Sequence, residues 1–334
     1  MSEVGESSQV MPETKGGLTP IVSVAITAFN SANWLPRALD GVLMQRTNFP
    51  IEIVLGDDGS QDATVDIARS YRERNSTLFK ILERPANIGI QRNYYETFEH
   101  CSGKFIAWLD ADDSWTDPEK LTAQVNALES DPSISVCCHR VRWVTHDGEV
   151  KREIYPSSAP GRYGLAEIIR SNFVPSPSIM FRNGIQRALP AWYLDFAFMT
   201  DWPVLVMAAL SGDILLLDRV MADYTLTPGS SFASKGTLYQ YEMDAKFYEL
   251  IEGVLPSRWH RFVRAEKGKR YESIAYLLRK QGEFTASRRA AIKAFSSPSI
   301  LDNCRGKTTA LIASVLRETE WRLGVGRAAS GQRF

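Results

Sequence analysis

The 334-residue chain has few cysteines, and they follow no pattern: Cys101, Cys137, Cys138 and Cys304 show no C-x-x-C spacing. Neighbours such as Cys137 and Cys138 are poorly placed to pair with each other, so no disulfide framework is expected and a reduced, cytoplasmic compartment fits. An excess of either charge is lacking too. Lys+Arg and Asp+Glu each number 39, for a net charge of +0, which leaves no global electrostatic case for a nucleic-acid partner. No apolar run reaches the roughly 18 residues of a membrane span; the stretch 210–217 is apolar but short, and Gly212 and Asp213 break it. Residues 1–17 carry Glu3, Glu6 and Glu13 and no apolar core segment. They read as the body of a disordered tail (1–19) rather than as a signal peptide.

The composition that remains, 44% hydrophobic and 23% charged, is that of a globular protein with a sizeable core. Residues 21–28 (IVSVAITA) form a β-branched run suited to a strand buried on both faces. In the next segment Trp34, Leu35, Ala38, Leu39, Val42 and Leu43 share one helical face, with Ser31 as the expected N-cap. Strands at 51–55, 78–82 and 104–109 alternate with helices at 63–74 and 90–101. This βαβαβαβ order predicts a parallel sheet covered by helices, with ligands beyond the carboxyl ends of its strands. Downstream, Asp117-Pro118 should open a helix reaching Ser130. Separate strands are expected at 134–138 and 141–145, and again at 214–217 and 220–224, with a helix at 201–210 between the pairs. From Thr237 the chain reads as mainly helical, including a helix–Gly turn–helix over 276–295.

Three segments carry chemistry. LDADDSW (109–115) places Asp110, Asp112 and Asp113 within four residues of a strand end. Like charges this close repel unless a cation compensates them, and Mg²⁺ or Mn²⁺ bound by one or two carboxylates plus substrate phosphates would do so; a solvated acidic turn is the alternative. LGDDGSQDAT (55–64) sets Asp57 and Asp58 just past another strand, where a carboxylate can accept hydrogen bonds from a base or a ribose. Ordinary turn chemistry, with Asp62 capping the next helix, accounts for the same residues. ERPANIGIQRN (83–93) offers Gly89 for close backbone approach, and Arg92 for a phosphate or for an ion pair with Asp110.

In this order the segments resemble the family 2 glycosyltransferases of GT-A fold, from about residue 21 to 121 and more faintly to 231. The resemblance implies a Rossmann-like mixed sheet flanked by helices, with a C-terminal helical extension. It implies a nucleotide-sugar-binding half (20–115), an acceptor-binding half (116–233) and a helical region (234–334). Thr27 and Phe29 would line the base pocket, and Asp57 or Asp58 would contact base or ribose. Asn87, Gly89, Arg92 and Asn93 match the N-x-G-x-x-R-N segment. Asp110 and Asp112 would lie at the donor, and Asp112 and Asp113 would hold the metal. Asp201, in Asp201-Trp202, would be the base that takes the acceptor proton; capping of its helix is the alternative role, and Trp202 could stack on a sugar or belong to the core. The implied cofactors are a divalent cation (Mn²⁺ or Mg²⁺) and a nucleotide sugar, with UDP-sugars the commonest in the family. The implied acceptor is a glycan, a lipid-linked molecule or another hydroxyl compound, as in polysaccharide or cell-surface glycan synthesis. Basic runs at 264–270 and 288–289 allow peripheral contact with the inner face of a membrane, or simply form solvated helix faces.

One departure stands out. Where many relatives carry Y-R-x-H-x-G-S, this chain has YTLTPGSS (224–231), so Thr225 and Thr227 replace an Arg and a His. Threonine supplies no positive charge. Either the metal stabilises more of the leaving group, or another basic residue such as Lys235 reaches in, or activity is reduced. Two other readings follow: a binding or scaffold protein on the same fold, and a sugar-phosphate nucleotidyltransferase. The latter would favour a Gly-rich basic loop after the first strand, where this chain has TAFNSANW.

Overall fold

The computed structural model describes residues 19–196, 199–227 and 235–295. The expected tail up to residue 18, the end of the YTLTPGSS segment and Cys304 lie outside the described residues. The chain divides into two compact units between residues 228 and 229.

The first unit is built on one ten-stranded mixed sheet. Its amino-terminal half is β1 (Val22–Ala28), α1 (Leu35–Leu43), β2 (Ile51–Asp57), α2 (Thr64–Arg74), β3 (Phe79–Glu83), α3 (Ile90–Glu99) and β4 (Phe105–Asp110). β1 is flanked by β2 and β4, both parallel to it, and β3 continues beyond β2. Every residue of β1 is buried, as its unbroken Val/Ile run requires. α1 turns Leu35, Ala38, Leu39 and Val42 onto the sheet, each large side chain contributing about 1.5–3 kcal/mol by leaving water. Ser31 does not cap α1. Its carbonyl accepts from the N–H groups of Trp34 and Leu35, and its N–H donates to Thr64 Oγ1 at 2.7 Å, so the segment before α1 is a turn tied to the start of α2.

The second half adds β5 (Ser114–Trp115), α4 (Lys120–Ser130), β6 (Ile134–Thr145), β7 (Val150–Tyr155), β8 (Gly161–Tyr163), α5 (Leu165–Arg170), β9 (Met180–Arg182), α6 (Asp201–Ser211) and β10 (Asp213–Leu226). β9 runs antiparallel between β4 and β6 and joins the two halves into one sheet; β10 lies parallel to β6 and antiparallel to β5.

Two expected strand pairs are single long strands. β6 runs through His139 and Arg140: Arg140 pairs with Asp218 at 2.6 Å, and His139 Nδ1 meets the Arg140 carbonyl at 2.8 Å, while its buried Nε2 has no partner among the described residues. β10 absorbs Asp218 and Arg219 where its register against β6 shifts. α4 starts at Lys120, later than Asp117-Pro118 suggests. Asp117 instead accepts the Glu119 N–H at 2.9 Å and pairs with Arg219 at 2.6 Å.

The second unit comprises α7 (Gly236–Glu252), α8 (His260–Lys280) and α9 (Phe284–Phe295), packed around Ala245, Ile274, Ala275, Ala290 and Ala291. Gly282, at φ +84°, makes the expected turn between α8 and α9. The basic run of α8 is largely spent inside the unit: Arg264 and Lys267 pair with Glu252, Lys269 with Glu266 and Arg270 with Asp244. No helix among the described residues is long and apolar enough to cross a membrane.

Candidate active site

Parallel pairing brings the carboxyl ends of β1, β2 and β4 level. Thr27 lies between Gly56 of β2 and Asp110 of β4, and Ala28 is paired with Asp57. The chain leaves β2 and β4 in step with β1, since Asp58 N–H donates to the Ala28 carbonyl at 2.9 Å and Ala111 N–H to the Thr27 carbonyl at 3.1 Å. The acidic segments that are far apart in sequence therefore meet beside one strand tip.

Asp110 is held by four side-chain donors. Oδ1 accepts from Thr27 at 3.3 Å, from Trp108 Nε1 at 3.2 Å and from the Tyr94 hydroxyl; Oδ2 accepts from Ser176 at 2.8 Å. Burial and the Asp110 charge raise the Tyr94 phenol well above its ordinary range, so it stays a proton donor to Asp110. The expected Arg92–Asp110 ion pair is not formed: Arg92 is exposed on α3, and hydroxyl and indole donors surround the carboxylate instead.

Asp112 and Asp113 are tied to the end of β10. Asp113 is 2% exposed, and its Oδ1 accepts the Thr225 N–H at 2.7 Å. Asp112 is partly exposed, and its Oδ2 accepts from the Thr227 hydroxyl at 3.3 Å. Burial, reinforced by the charge of Asp110, pushes the Asp112 carboxyl up to about 6. Burial and the charges of Asp112 and Asp110 hold Asp113 well above the carboxylate range. Thr225 and Thr227 thus serve the acidic turn directly, one through its backbone and the other through its hydroxyl. Arg37 of α1 reaches the same place: Nη2 donates to Thr225 Oγ1 at 2.6 Å and to the Asp112 carbonyl at 3.4 Å. Lys235 belongs to the second unit.

The chemistry of this donor set fits a hard divalent cation. Buried like charges are under-compensated by one guanidinium, and Asp112 and Asp113 would supply the one or two carboxylates such an ion takes before phosphate and water complete its shell. Among the described residues no three or more His, Cys, Asp or Glu side chains are grouped to hold a metal alone.

The second acidic pair is divided between two tasks. Asp57 closes its own turn, its Oδ2 accepting the N–H groups of Gly59 at 3.1 Å and Ser60 at 3.0 Å. Asp58, 3% exposed, accepts the Ile88 N–H at 2.7 Å, and its carboxyl is raised by burial. It thereby fastens the turn to the loop before α3. Gly59 (φ +73°) lies on that loop so closely that a Cβ would come 2.5 Å from the Ala86 carbonyl carbon. Gly89 (φ +93°) needs glycine for its backbone conformation, since a Cβ there would meet nothing within 4 Å. Asn87 is exposed, and its Oδ1 accepts the Gly89 N–H at 3.0 Å. Asn93 is buried between Gly56 and Arg84, donating to the Gly56 carbonyl at 3.0 Å and accepting from Arg84 at 2.7 Å. Thr27 is engaged with Asp110, whereas the Phe29 ring, just past β1, is 49% exposed.

Asp201 opens α6. No side chain caps that helix; the Asp201 carboxylate accepts from the Trp202 N–H at 2.8 Å. Its carboxyl is raised by burial, with the charge of Asp110 adding to the effect, and its own charge reaches Tyr155, Tyr193 and Tyr224. Tyr224 also feels Asp113, Asp110 and Asp112, so Asp201 shares one electrostatic neighbourhood with the acidic turn. Trp202 belongs to the core: it is 3% exposed, and its Nε1 donates to the Ile168 carbonyl at 2.7 Å.

Sequence reading assigned no role to Arg37, Arg84, Tyr94 or Ser176. Arg84 has a side chain only 9% exposed and links Glu96, Asn93 and the Asp57 carbonyl. Its place in ERPANIG, next to the recognised motif, was the available signal. Ser176 gave none, because it lies 66 residues from Asp110 and no local spacing joins them.

Comparisons with known proteins agree with the fold. Residues 23–187 match Glycosyl transferase family 2. An uncharacterised protein of Mycobacterium bovis is 33% identical over 204 residues, 61% of this chain and 58% of the relative; the chain thus spans less than two thirds of that protein's length. An uncharacterised glycosyltransferase of Nostoc sp. is 26% identical over 237 residues, covering 69% of this chain and 72% of the relative. Among solved structures, S. aureus TarS 1-349 in complex with UDP-GlcNAc aligns with a TM-score of 0.64 at 20% identity, covering 91% of this chain and 92% of that one. The mannosyltransferase PcManGT from Pyrobaculum calidifontis, in complex with GDP-Man and Mn²⁺, aligns with a TM-score of 0.55 at 15% identity over 90% and 87% of the two chains. These structures share the GT-A fold, and through residues 23–187 the chain belongs to glycosyl transferase family 2.

Proposed function

We propose that the protein transfers a sugar, with inversion, from a nucleotide diphosphate donor, a UDP-sugar, to a hydroxyl of a glycan or lipid-linked acceptor. The observation that carries this reading is the meeting of Asp58, Asp110, Asp112, Asp113 and Asp201 around the tip of β1, with Arg37 as the cation on the acidic turn. The complexes of the two structural neighbours, one with UDP-GlcNAc and one with GDP-Man and Mn²⁺, support a nucleotide sugar and a divalent ion as the ligands.

In this reading Phe29 and Asp58 receive the nucleoside, and Asp112 and Asp113 hold the metal. When bound, a divalent ion would neutralise charge on the departing diphosphate. Asp201 accepts the acceptor proton while the hydroxyl oxygen bonds to the anomeric carbon; the bond from that carbon to the diphosphate oxygen breaks, and its electron pair leaves with the nucleotide. A raised carboxyl suits this role, because a base works best with a pKa nearer the working pH. Asp110, with its four donors, fixes the turn that presents Asp112.

A thermal-shift titration with UDP or GDP, each with and without Mn²⁺, tests the reading, followed by a donor screen read by mass spectrometry. Metal-dependent stabilisation by a nucleoside diphosphate is expected. No shift with either nucleotide would turn the assignment toward a non-catalytic binding protein.

A further inference from the structure

Arg37 makes unusual use of its charge. It is partly buried, and its charge acts on both Asp112 and Asp113. Yet it forms no ion pair with a described carboxylate. Its two hydrogen bonds go to neutral oxygens, the Thr225 hydroxyl at 2.6 Å and the Asp112 carbonyl at 3.4 Å, and both leave from Nη2. Nε and Nη1 have no partner among the described residues. A guanidinium pairs with carboxylates and phosphates through adjacent N–H groups, in a two-pronged arrangement. Here Nη2, the nitrogen shared by both two-pronged edges, is anchored, and Nε and Nη1 keep N–H groups that can each donate singly beside Asp112 and Asp113.

Its position is fixed by a helix rather than a loop. Gly41, four residues on and therefore on the same face of α1, meets the backbone of Trp115; a Cβ at Gly41 would come 2.8 Å from the Trp115 carbonyl oxygen. That close approach sets the first turn of α1 over the acidic turn. The Thr225 hydroxyl then holds the side chain by its Nη2.

We propose that Arg37 is a donor-contacting residue, whose Nε and Nη1 groups bind the diphosphate of the nucleotide. The positive charge absent from positions 225 and 227 is supplied from α1, and Thr225 orients it. This inference rests on the nucleotide-donor reading above.

The test is calorimetric titration of the full chain with UDP, GDP and uridine, in metal-free buffer and with Mn²⁺, for the parent, Arg37→Gln and Thr225→Val. Metal-free titration separates the guanidinium from the cation. Arg37→Gln is expected to weaken UDP binding by about ten- to hundredfold, the range for losing charge-assisted hydrogen bonds, and to leave uridine binding within about twofold. Thr225→Val, which keeps the shape but removes the anchoring hydroxyl, should weaken UDP binding by a smaller factor in the same direction. Parent binding of UDP combined with unchanged UDP affinity in folded Arg37→Gln overturns the Arg37 assignment alone. Should Arg37→Gln not fold, unchanged affinity in Thr225→Val does so. A parent that binds neither UDP nor GDP, with or without Mn²⁺, overturns the donor reading and this inference together.

Discussion

The Asp113 carboxylate accepts the backbone N–H of Thr225 at 2.7 Å, across 112 residues of sequence. This bond ties the turn after β4 to the end of β10. It also places a carboxylate where burial and two neighbouring acids oppose its ionisation.

Asp113→Asn and Asp113→Ala should therefore separate anchoring from charge. Asparagine keeps an acceptor for the Thr225 N–H; alanine leaves that buried N–H unpaired, at a cost of about 1–3 kcal/mol. In metal-free urea denaturation, Asp113→Asn is expected to be the more stable of the two by about that amount. Equal stability would show that the bond contributes nothing. Both variants are expected to lose Mn²⁺-dependent stabilisation by nucleotide, since each removes the negative charge.

Asp201→Asn removes the proposed base while preserving size. Loss of a general base lowers kcat by about 10²- to 10⁴-fold, with donor affinity near that of the parent. The parent's pH profile carries a second check. Burial raises the Asp201 carboxyl, and a base must be ionised to act. The rate should thus fall as pH drops through the raised value, with the acid limb above the ordinary aspartate range of about 4. An acid limb at or below that value would count against Asp201.

Lys120 provides a stability prediction outside the site. It is fully buried, donates to Gln124 Oε1 at 2.7 Å and lies 3.9 Å from the centre of the Trp115 ring. Burial pushes its ammonium down to about 7, below the unfolded value of about 10.4. Between those values the unfolded chain binds a proton that the folded one does not, so stability rises with pH across that window. Lys120→Met should flatten the dependence. Denaturant midpoints at pH 7 and pH 9 would reveal it, and parallel pH slopes for parent and variant would refute it.

Gly59→Ala should disturb the nucleoside side of the site. The residue adopts φ +73°, and its Cβ would lie 2.5 Å from backbone of the 84–89 loop. Strain and displacement together are expected to cost about 1–3 kcal/mol and to weaken nucleotide binding. Gly89→Ala, with open space around its Cβ, carries only the backbone penalty and should cost less.

Much of the nucleotide-side half was legible because its signals are local. The β-branched run of β1, the periodic face of α1 and the polar turns after β2 and β4 are short-range features, and together they implied the parallel sheet. Legibility fell where polar residues find remote partners. His139-Arg140 and Asp218-Arg219 look like strand breakers, yet Arg140 and Asp218 pair with each other and Arg219 pairs with Asp117, so β6 and β10 continue. Trp202 next to Asp201 could be read as a sugar platform or as core, and only the fold decides for the core, where its indole N–H is consumed by the Ile168 carbonyl.

By itself, then, the chain of residues determined which carboxylates stand at strand ends and which family those motifs belong to, because both depend on spacing within a few residues. Only the tertiary structure decided what each carboxylate does. Asp110 is saturated by Thr27, Tyr94, Trp108 and Ser176, Asp57 is spent on its own turn, and Asp112 is left partly exposed with its carboxyl raised. It likewise brought Arg37 to Thr225 across 188 positions. The reason is physical: hydrogen-bond saturation and desolvation are set by groups that pack from other elements, and such neighbours leave no trace in local pattern.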